Sequence, residues 1–293
     1  MNSLAEVAAE IKNRDKFLII GHVDPDGDCI GSMFACYRIL KSLGKQGLML
    51  FPRGVTDDFN FLLEELESPE AYQSVEGFGP EDARSYRNWI ALDAGSRQRL
   101  ALEFEIPGTG YLFNIDHHPD NTGYGDLNYI DDNRAAVGEI IYELAQRLEI
   151  ELDPDLGTAI ATAIIADTGA FRYQNITPRI FRLIARLMDI GVDVYQINRF
   201  LFGNNPYEKI KLKGMALSTL ELSQNGRVAW LKADRSMMNS LGIDHQFASG
   251  LVNYARDIQG VEVGISFTEV DTGETKVSFR SNEYVPVNQL AAR

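Results

Sequence analysis

Short continuous apolar runs alternate, over the first two thirds of the chain, with longer stretches in which apolar residues recur every three or four positions. Phe17–Ile20 (FLII), residues 48–51, Asn88–Leu92 (NWIAL) and residues 111–115 (YLFNI) are unbroken rather than alternating. Strands covered by helices on both faces have that pattern. Helices are predicted over residues 3–13, where Ser3 and Glu6 have capping-box spacing, and over 30–43, closed by Gly44. Further helices follow at 135–148, 154–166 and 178–190, the last with Thr177 as N-cap and Pro178 in the first helical position. Strand, loop and helix in this order predict an α/β fold with a parallel, Rossmann-like sheet.

The pattern changes after the turn formers FGNNPY at residues 202–207. This places a domain boundary there, giving units of residues 1–203 and 204–293. The second unit is predicted as a small α+β lobe. It has helices at 208–222 and at 244–258, the latter capped by Asp244, and an extended run at 227–232. Alternating runs at 261–270 and 275–280, joined by Asp271, Thr272 and Gly273, form a hairpin.

Composition narrows the class. With 293 residues, 45% hydrophobic and 24% charged, the chain is an ordinary globular protein with room for two domains. No apolar run approaches the roughly 20 residues of a membrane span, and the start MNSLAEVAAE lacks a signal-peptide core, so cytoplasm is the expected compartment and no membrane partner is expected. Cys29 and Cys36 are too few and too far apart for a disulfide framework or a CxxC zinc site and are expected as core thiols. Net charge is 28 − 42 = −14, and from Asn205 onward 10 basic residues balance 10 acidic ones, so the first unit carries the whole excess. Without a basic track, long duplex nucleic acid is disfavoured and small anionic substrates remain. Runs such as Glu64, Glu65 and Glu67 are read as solvated surface.

Chemistry gathers where the apolar runs end. His22, Asp26 and Asp28 form H-x3-D-x-D in GHVDPDGDCIGS, where Pro25 and Gly27 allow a tight loop. Asp93 follows WIAL, Asp116, His117 and His118 end NIDHH, and Asp167 ends AIIAD. Open parallel sheets bind ligands at strand carboxyl ends, and mixed carboxylate and imidazole donors suit divalent cations, tilting the choice toward Mn²⁺ over Mg²⁺. Each piece has a plainer reading: an acidic cap on the helix at Ile30, paired surface histidines, and a helix terminus at Asp167. Asp116 or a neighbouring acid could hold the second ring nitrogen of a ligating histidine. Nothing resembles a P-loop, a dinucleotide-binding glycine fingerprint or a G-x-S-x-G elbow.

The elements GHVDPDGDCIGS, ALDAGS, NIDHHPDN and ADTGAFRY, in this order, resemble the four motifs of the DHH family of phosphoesterases. The region ending VSFRSNEYVPVNQLA resembles the accompanying DHHA1-type substrate-binding domain, and the chain is most similar to the bacterial nanoRNase and pAp phosphatase group. That resemblance implies two Mn²⁺ per chain, with Mg²⁺ or Co²⁺ as substitutes. His22 and Asp26 would bind one metal, Asp28, His117 and Asp167 the other, and Asp93 would bridge them. His118 would contact the scissile phosphate or leaving oxygen, with Asp116 in support; Arg172, Arg280 and Ser281 are further expected substrate contacts. Asp24 would ligate or shape the loop. Two such cations would lower the pKa of a shared water and neutralise phosphoryl charge during in-line displacement. The expected substrates are short oligoribonucleotides, linear dinucleotides and the 3′-phosphate of pAp. Pyrophosphatase or exopolyphosphatase activity, or a non-catalytic nucleotide-binding regulatory module, are the alternatives, and a homodimer is the assembly considered. In the family, VNQLAA is followed by a glycine-rich, histidine-containing segment, whereas this sequence stops at Arg293, so weaker substrate binding with intact metal sites is expected.

Overall fold

The computed structural model describes residues 1–52, 54, 55, 57–64, 66, 69–102, 104, 106, 110–270, 273–287 and 290. The chain forms two compact units, Met1–Asn204 and Asn205–Arg293. Of the acidic residues predicted as surface, Glu65 and Glu67 lie outside the described residues, as do Asp271 and Thr272 of the predicted turn, most of VNQLAA, and Arg293.

In the first unit, β1 (Phe17–Ile20), β2 (Gly47–Phe51), β3 (Tyr72–Ser74), β4 (Asn88–Leu92), β5 (Tyr111–Asp116) and β6 (Leu127–Ile130) make one sheet in the order β3-β2-β1-β4-β5-β6. Every neighbouring pair is parallel. The chain winds outward from β1 through β2 to β3 and then returns to pair β4 against the other edge of β1. This reversal opens a crevice beyond the carboxyl ends of β1 and β4. Side chains alternate across the sheet: Phe17, Ile19, Ile90 and Leu92 enter one core, and Leu18, Ile20, Trp89 and Ala91 the other. Both faces are covered, which is why these strands read as unbroken apolar runs. The sequence pattern misses β3 and β6, short edge strands whose polar residues break any apolar run.

The first helix after β1 is Gly27–Ser42, three residues ahead of its predicted start, because Asp26 Oδ1 accepts hydrogen bonds from the Asp28 and Cys29 amides at 3.1 and 3.2 Å. It crosses the helix Pro154–Asp167 backbone to backbone. A Cβ on Gly31 would lie 2.6 Å from Ala159 O and 2.7 Å from Ala163 N, and one on Gly138, in the neighbouring helix Val137–Arg147, would lie 2.5 Å from Ala163 Cβ. Both cysteines are buried and free, and burial pushes the Cys36 thiol up to about 12.

The second unit has a four-stranded sheet in the order β10-β9-β8-β7, from β7 (Glu221–Leu222), β8 (Val228–Ala233), β9 (Val263–Glu269) and β10 (Thr275–Ser281). β9 and β10 are the antiparallel pair predicted. The predicted helix 208–222 ends earlier, as Tyr207–Leu217, and β7 takes its last residues. The predicted helix 244–258 is divided: Gly250, with φ +80°, separates a turn at His245–Ala248 from the helix Leu251–Arg256. An additional helix, Arg235–Leu241, capped by Asp234, has too short an apolar pattern to be read from sequence. Among the described residues no helix is long and apolar enough to cross a membrane.

Candidate metal centre

The crevice gathers every histidine and aspartate singled out at the strand ends. His22 follows β1 and is held by a bridge to Leu100. Asp26 caps the helix Gly27–Ser42 from the exposed rim, whereas Asp28, in that helix's first turn, is 1% exposed. The Asp28 carboxylate accepts from the Val137 and Gly138 amides at 2.7 and 3.1 Å and from Ser32 Oγ at 3.1 Å. It thereby satisfies the amino end of the helix Val137–Arg147, whose own N-cap residue, Ala136, has no side chain able to do so. Asp93 follows β4 in a left-handed conformation, φ +56°, that aspartate tolerates better than most residues. Asp167 is the last residue of Pro154–Asp167, where its charge meets the helix's negative end and calls for a cation.

Distances define two overlapping groups. His22 Nε2 lies 3.8 Å from Asp26 Oδ1 and 3.6 Å from Asp93 Oδ2. His117 Nε2 lies 3.8 Å from Asp28 Oδ2, 3.5 Å from Asp93 Oδ1 and 3.7 Å from Asp167 Oδ2. These separations exceed good hydrogen bonds. They match atoms that share a cation, since donors about 2.1 Å from one ion stand about 3.0 Å apart at a right angle and about 4.2 Å apart across it. Asp93 Oδ1 is buried with no hydrogen-bond partner among the described residues, as an atom reserved for a metal would be. Four carboxylates, Asp26, Asp28, Asp93 and Asp167, also match the charge of two divalent cations. Cys29 lies near His22 and Asp93, but burial raises its thiol well above the ordinary range, which keeps it protonated.

The two adjacent histidines are held differently. His117 Nδ1 contacts the Arg134 carbonyl at 3.1 Å, so Nε2 is presented to the carboxylates. The Arg134 side chain is fixed by Asp131 at 2.6 Å and Glu143 at 2.7 Å. His118 Nδ1 pairs with Asp116 Oδ1 at 2.8 Å, and the same oxygen accepts the His117 amide at 2.8 Å. Asp116 therefore orients His118, while a backbone carbonyl holds the second ring nitrogen of His117. Asn121 joins this network by donating to Asp116 and to Ala94 O. Asn121 and Arg134 were not singled out from sequence; Asn121 closes NIDHHPDN, and Arg134 lies in a polar stretch with no periodic signal.

Charge is strongly perturbed. Burial would lower His22, but Asp26 and Asp93 outweigh it and lift the imidazole to about 9. His117 is raised too, because Asp93, Asp28 and Asp167 overcome its burial. Burial, then Asp93, pushes Asp28 up, and burial raises Asp167. A carboxyl raised above its unfolded value costs stability as pH climbs through that window, and a raised histidine loses its stabilising charge as pH climbs toward its folded value. Both trends weaken the metal-free protein at higher pH, where the ligands are also free of protons to bind cations. Mn²⁺ is therefore expected to raise Tm more at about pH 8 than at about pH 5.5, and a cation at about a hundred times its Kd adds about 2.7 kcal/mol. Paired melts in Mn²⁺ and in chelator test this, and a shift equal at both pH values would contradict the ligand set.

The expected substrate contacts fall in both units. Arg172 lies on the surface just past Asp167, its Nε donating to Gly169 O at 2.7 Å. Arg280 and Ser281 lie in the second unit on β10, where Arg280 bonds to Phe279 O. Asp24 is exposed in the loop between His22 and Asp26.

Known proteins share this arrangement of chain. The bifunctional oligoribonuclease and PAP phosphatase NrnA of Thermus thermophilus is 30% identical over all of this chain and 84% of its own length. A probable protein of the same name from Streptococcus mutans is 26% identical over all of this chain and 90% of its own. Among solved structures, an exopolyphosphatase-related protein from Bacteroides fragilis superposes with a TM-score of 0.88 at 22% identity, over 99% of this chain and 86% of that one, a likeness of fold. The model of the DHH family, N-terminal domain, matches residues 16–166, the stretch that carries β1 through nearly all of the helix ending at Asp167. By that match and by full-length similarity, the chain belongs to the DHH family.

Proposed function

We propose that this chain is a cytoplasmic two-metal phosphoesterase that hydrolyses short oligoribonucleotides and linear dinucleotides and removes the 3′-phosphate of pAp, with Mn²⁺ as the working metal. As a member of its family it is a phosphoesterase, a metal-dependent hydrolase. The observation that carries the finer reading is Asp93, whose two oxygens lie within 3.6 Å of His22 on one side and 3.5 Å of His117 on the other. The names of the relatives supply the substrate class. The second unit, read as the DHHA1-type domain, would supply Arg280 and Ser281 to the substrate.

His22, Asp26 and Asp93 would hold one cation, and Asp28, His117, Asp167 and Asp93 the other. Bound there, the pair supplies Lewis-acid charge to the phosphoryl oxygens and activates water for in-line attack. The protein does the rest by placement. Asp116 fixes the His118 ring and stabilises its protonated form, so the ring can donate to the leaving oxygen as the bond breaks. The amides of Val137 and Gly138 keep Asp28 from turning away.

A panel of pAp, pApA, a five-nucleotide RNA, a long RNA and pyrophosphate, each with Mn²⁺, tests the reading. Turnover of the three small nucleotide substrates and little of the long RNA is expected, and turnover of pyrophosphate alone would overturn it. Within that assay His118→Ala should keep its metal while kcat falls roughly 10²- to 10⁴-fold. His117→Ala should lose metal. Equal metal content in the two variants would mean that the roles are wrongly divided.

A further inference from the structure

A second concave surface lies in the first unit, and its lining begins three residues past Asp167, at Ala170. Its volume is about 600 Å³ and its lining includes Arg172, Tyr195, Asn198, Arg199 and Phe202. That size suits a nucleotide-sized ligand. The wall comes from two segments, and each is tied to a ligand-bearing loop. The first begins two residues past Asp167: Gly169, Ala170 and Phe171 have φ of +56°, +57° and +63°, a left-handed run that reverses the chain and brings Arg172 to the surface. Only a firmly packed environment keeps residues other than glycine in that conformation. The hydrogen bond from Arg172 Nε to Gly169 O then fixes the guanidinium.

The second segment is a π-helical turn, Arg199–Gly203, a rare conformation concentrated at functional sites. Its inner residues are anchored. Phe200 stacks on Phe61 with ring centres 4.6 Å apart, and Leu201 comes within 3.7 Å of where a Cβ on Gly27 would be, between Asp26 and Asp28. Tyr195 is 72% exposed and offers an aromatic face, Phe202 carries the Arg172 guanidinium over its ring with Cζ 6.0 Å from the ring centre, and Arg199 stands between the two aromatic residues in sequence. The first unit holds 28 − 10 = 18 basic and 42 − 10 = 32 acidic residues, so two guanidinium groups on one concavity run against the local trend.

We propose that this concavity is a nucleotide subsite, taking the base and phosphate of the nucleotide next to the scissile bond. The base stacks on Tyr195, and the phosphate pairs with Arg199 and with Arg172, whose guanidinium stands over the Phe202 ring. The assignment rests on the nucleotide phosphoesterase reading above and adds where the non-reacting part of the substrate is held. Stacking tolerates any base, so the subsite gives affinity without sequence preference. Binding energy at a remote unit of substrate acts on KM when it is equal in ground and transition states.

The test uses the full chain and two surface variants, Tyr195→Ala and Arg199→Gln, with Tm measured as a check on folding. On pApA with Mn²⁺, each variant should raise KM roughly 5- to 100-fold, with kcat less affected. Independently of turnover, adenosine 5′-monophosphate should bind the metal-free protein, and Tyr195→Ala should weaken that binding at least fivefold while leaving ribose 5-phosphate nearly unchanged. Unchanged adenosine monophosphate affinity in both variants would overturn the subsite even if pApA is hydrolysed. Binding that depends on Tyr195 in a chain that fails to cleave pApA would keep the subsite and overturn the catalytic reading instead.

Discussion

Asp93→Ala is expected to lower turnover by at least about 10³-fold, the most complete loss among single ligand changes, while the protein stays folded. Each of the other proposed ligands would serve one group; among the described residues Asp93 alone lies within 3.6 Å of His22, His117 and His118 together. Its removal leaves two groups of donors with no shared anion to set their spacing. Alanine at a left-handed position adds a backbone cost of about 1–2 kcal/mol, whereas Asp93→Asn keeps a side chain suited to φ +56° and removes only the charge. Both variants should lose bound metal, and the asparagine variant should melt closer to the wild type. Metal analysis beside steady-state kinetics decides the matter: near-normal turnover with unchanged metal content would refute the two-metal assignment.

Gly31→Ala should be strongly destabilising, costing about 3 kcal/mol or more. The added Cβ meets backbone atoms of Ala159 and Ala163, which cannot rotate aside as a side-chain end could. The helix Gly27–Ser42 must therefore move off Pro154–Asp167, and Asp28 must part from Asp167. Weaker metal binding is expected along with the lower denaturation midpoint. Gly214→Ala supplies the control, because Gly214 sits in the helix Tyr207–Leu217 and none of the described residues comes within 4 Å of the added Cβ. It should stabilise by up to about 1 kcal/mol. If Gly31→Ala denatures at the same midpoint as the wild type, the close helix crossing does not exist in solution.

Much of the framework was legible because burial on both sheet faces leaves a mark in the sequence. FLII and NWIAL could be strands of only one kind, and their carboxyl ends pointed to the residues that the fold brings together. Boundaries were less legible where one side chain does two things: Asp26 caps a helix as well as facing His22, so the helix begins inside the loop read as a ligand motif. Edge strands such as Tyr72–Ser74 exist through pairing with a neighbour that no local pattern encodes. The partners of His117 and His118 were hidden for a similar reason. Arg134 acts through its carbonyl, which every residue has, and its identity matters only through Asp131 and Glu143. FGNNPY, read as turn formers, begins in the π-helical turn that lines the concavity.

The order β3-β2-β1-β4-β5-β6 also has a kinetic side. Phe17 pairs with Gly47 and with Asn88, closures of 47 − 17 = 30 and 88 − 17 = 71 residues, and the proposed ligand set runs from His22 to Asp167, a span of 167 − 22 = 145. Loops of that length close slowly, and the cluster is complete only when the helix ending at Asp167 has docked. Interactions formed after the rate-limiting step change the rate of unfolding and leave the rate of folding alone. Metal captured by the proposed ligands would thus act as a latch: binding after the fold has formed, it would leave the folding rate alone and lengthen the time the chain stays folded.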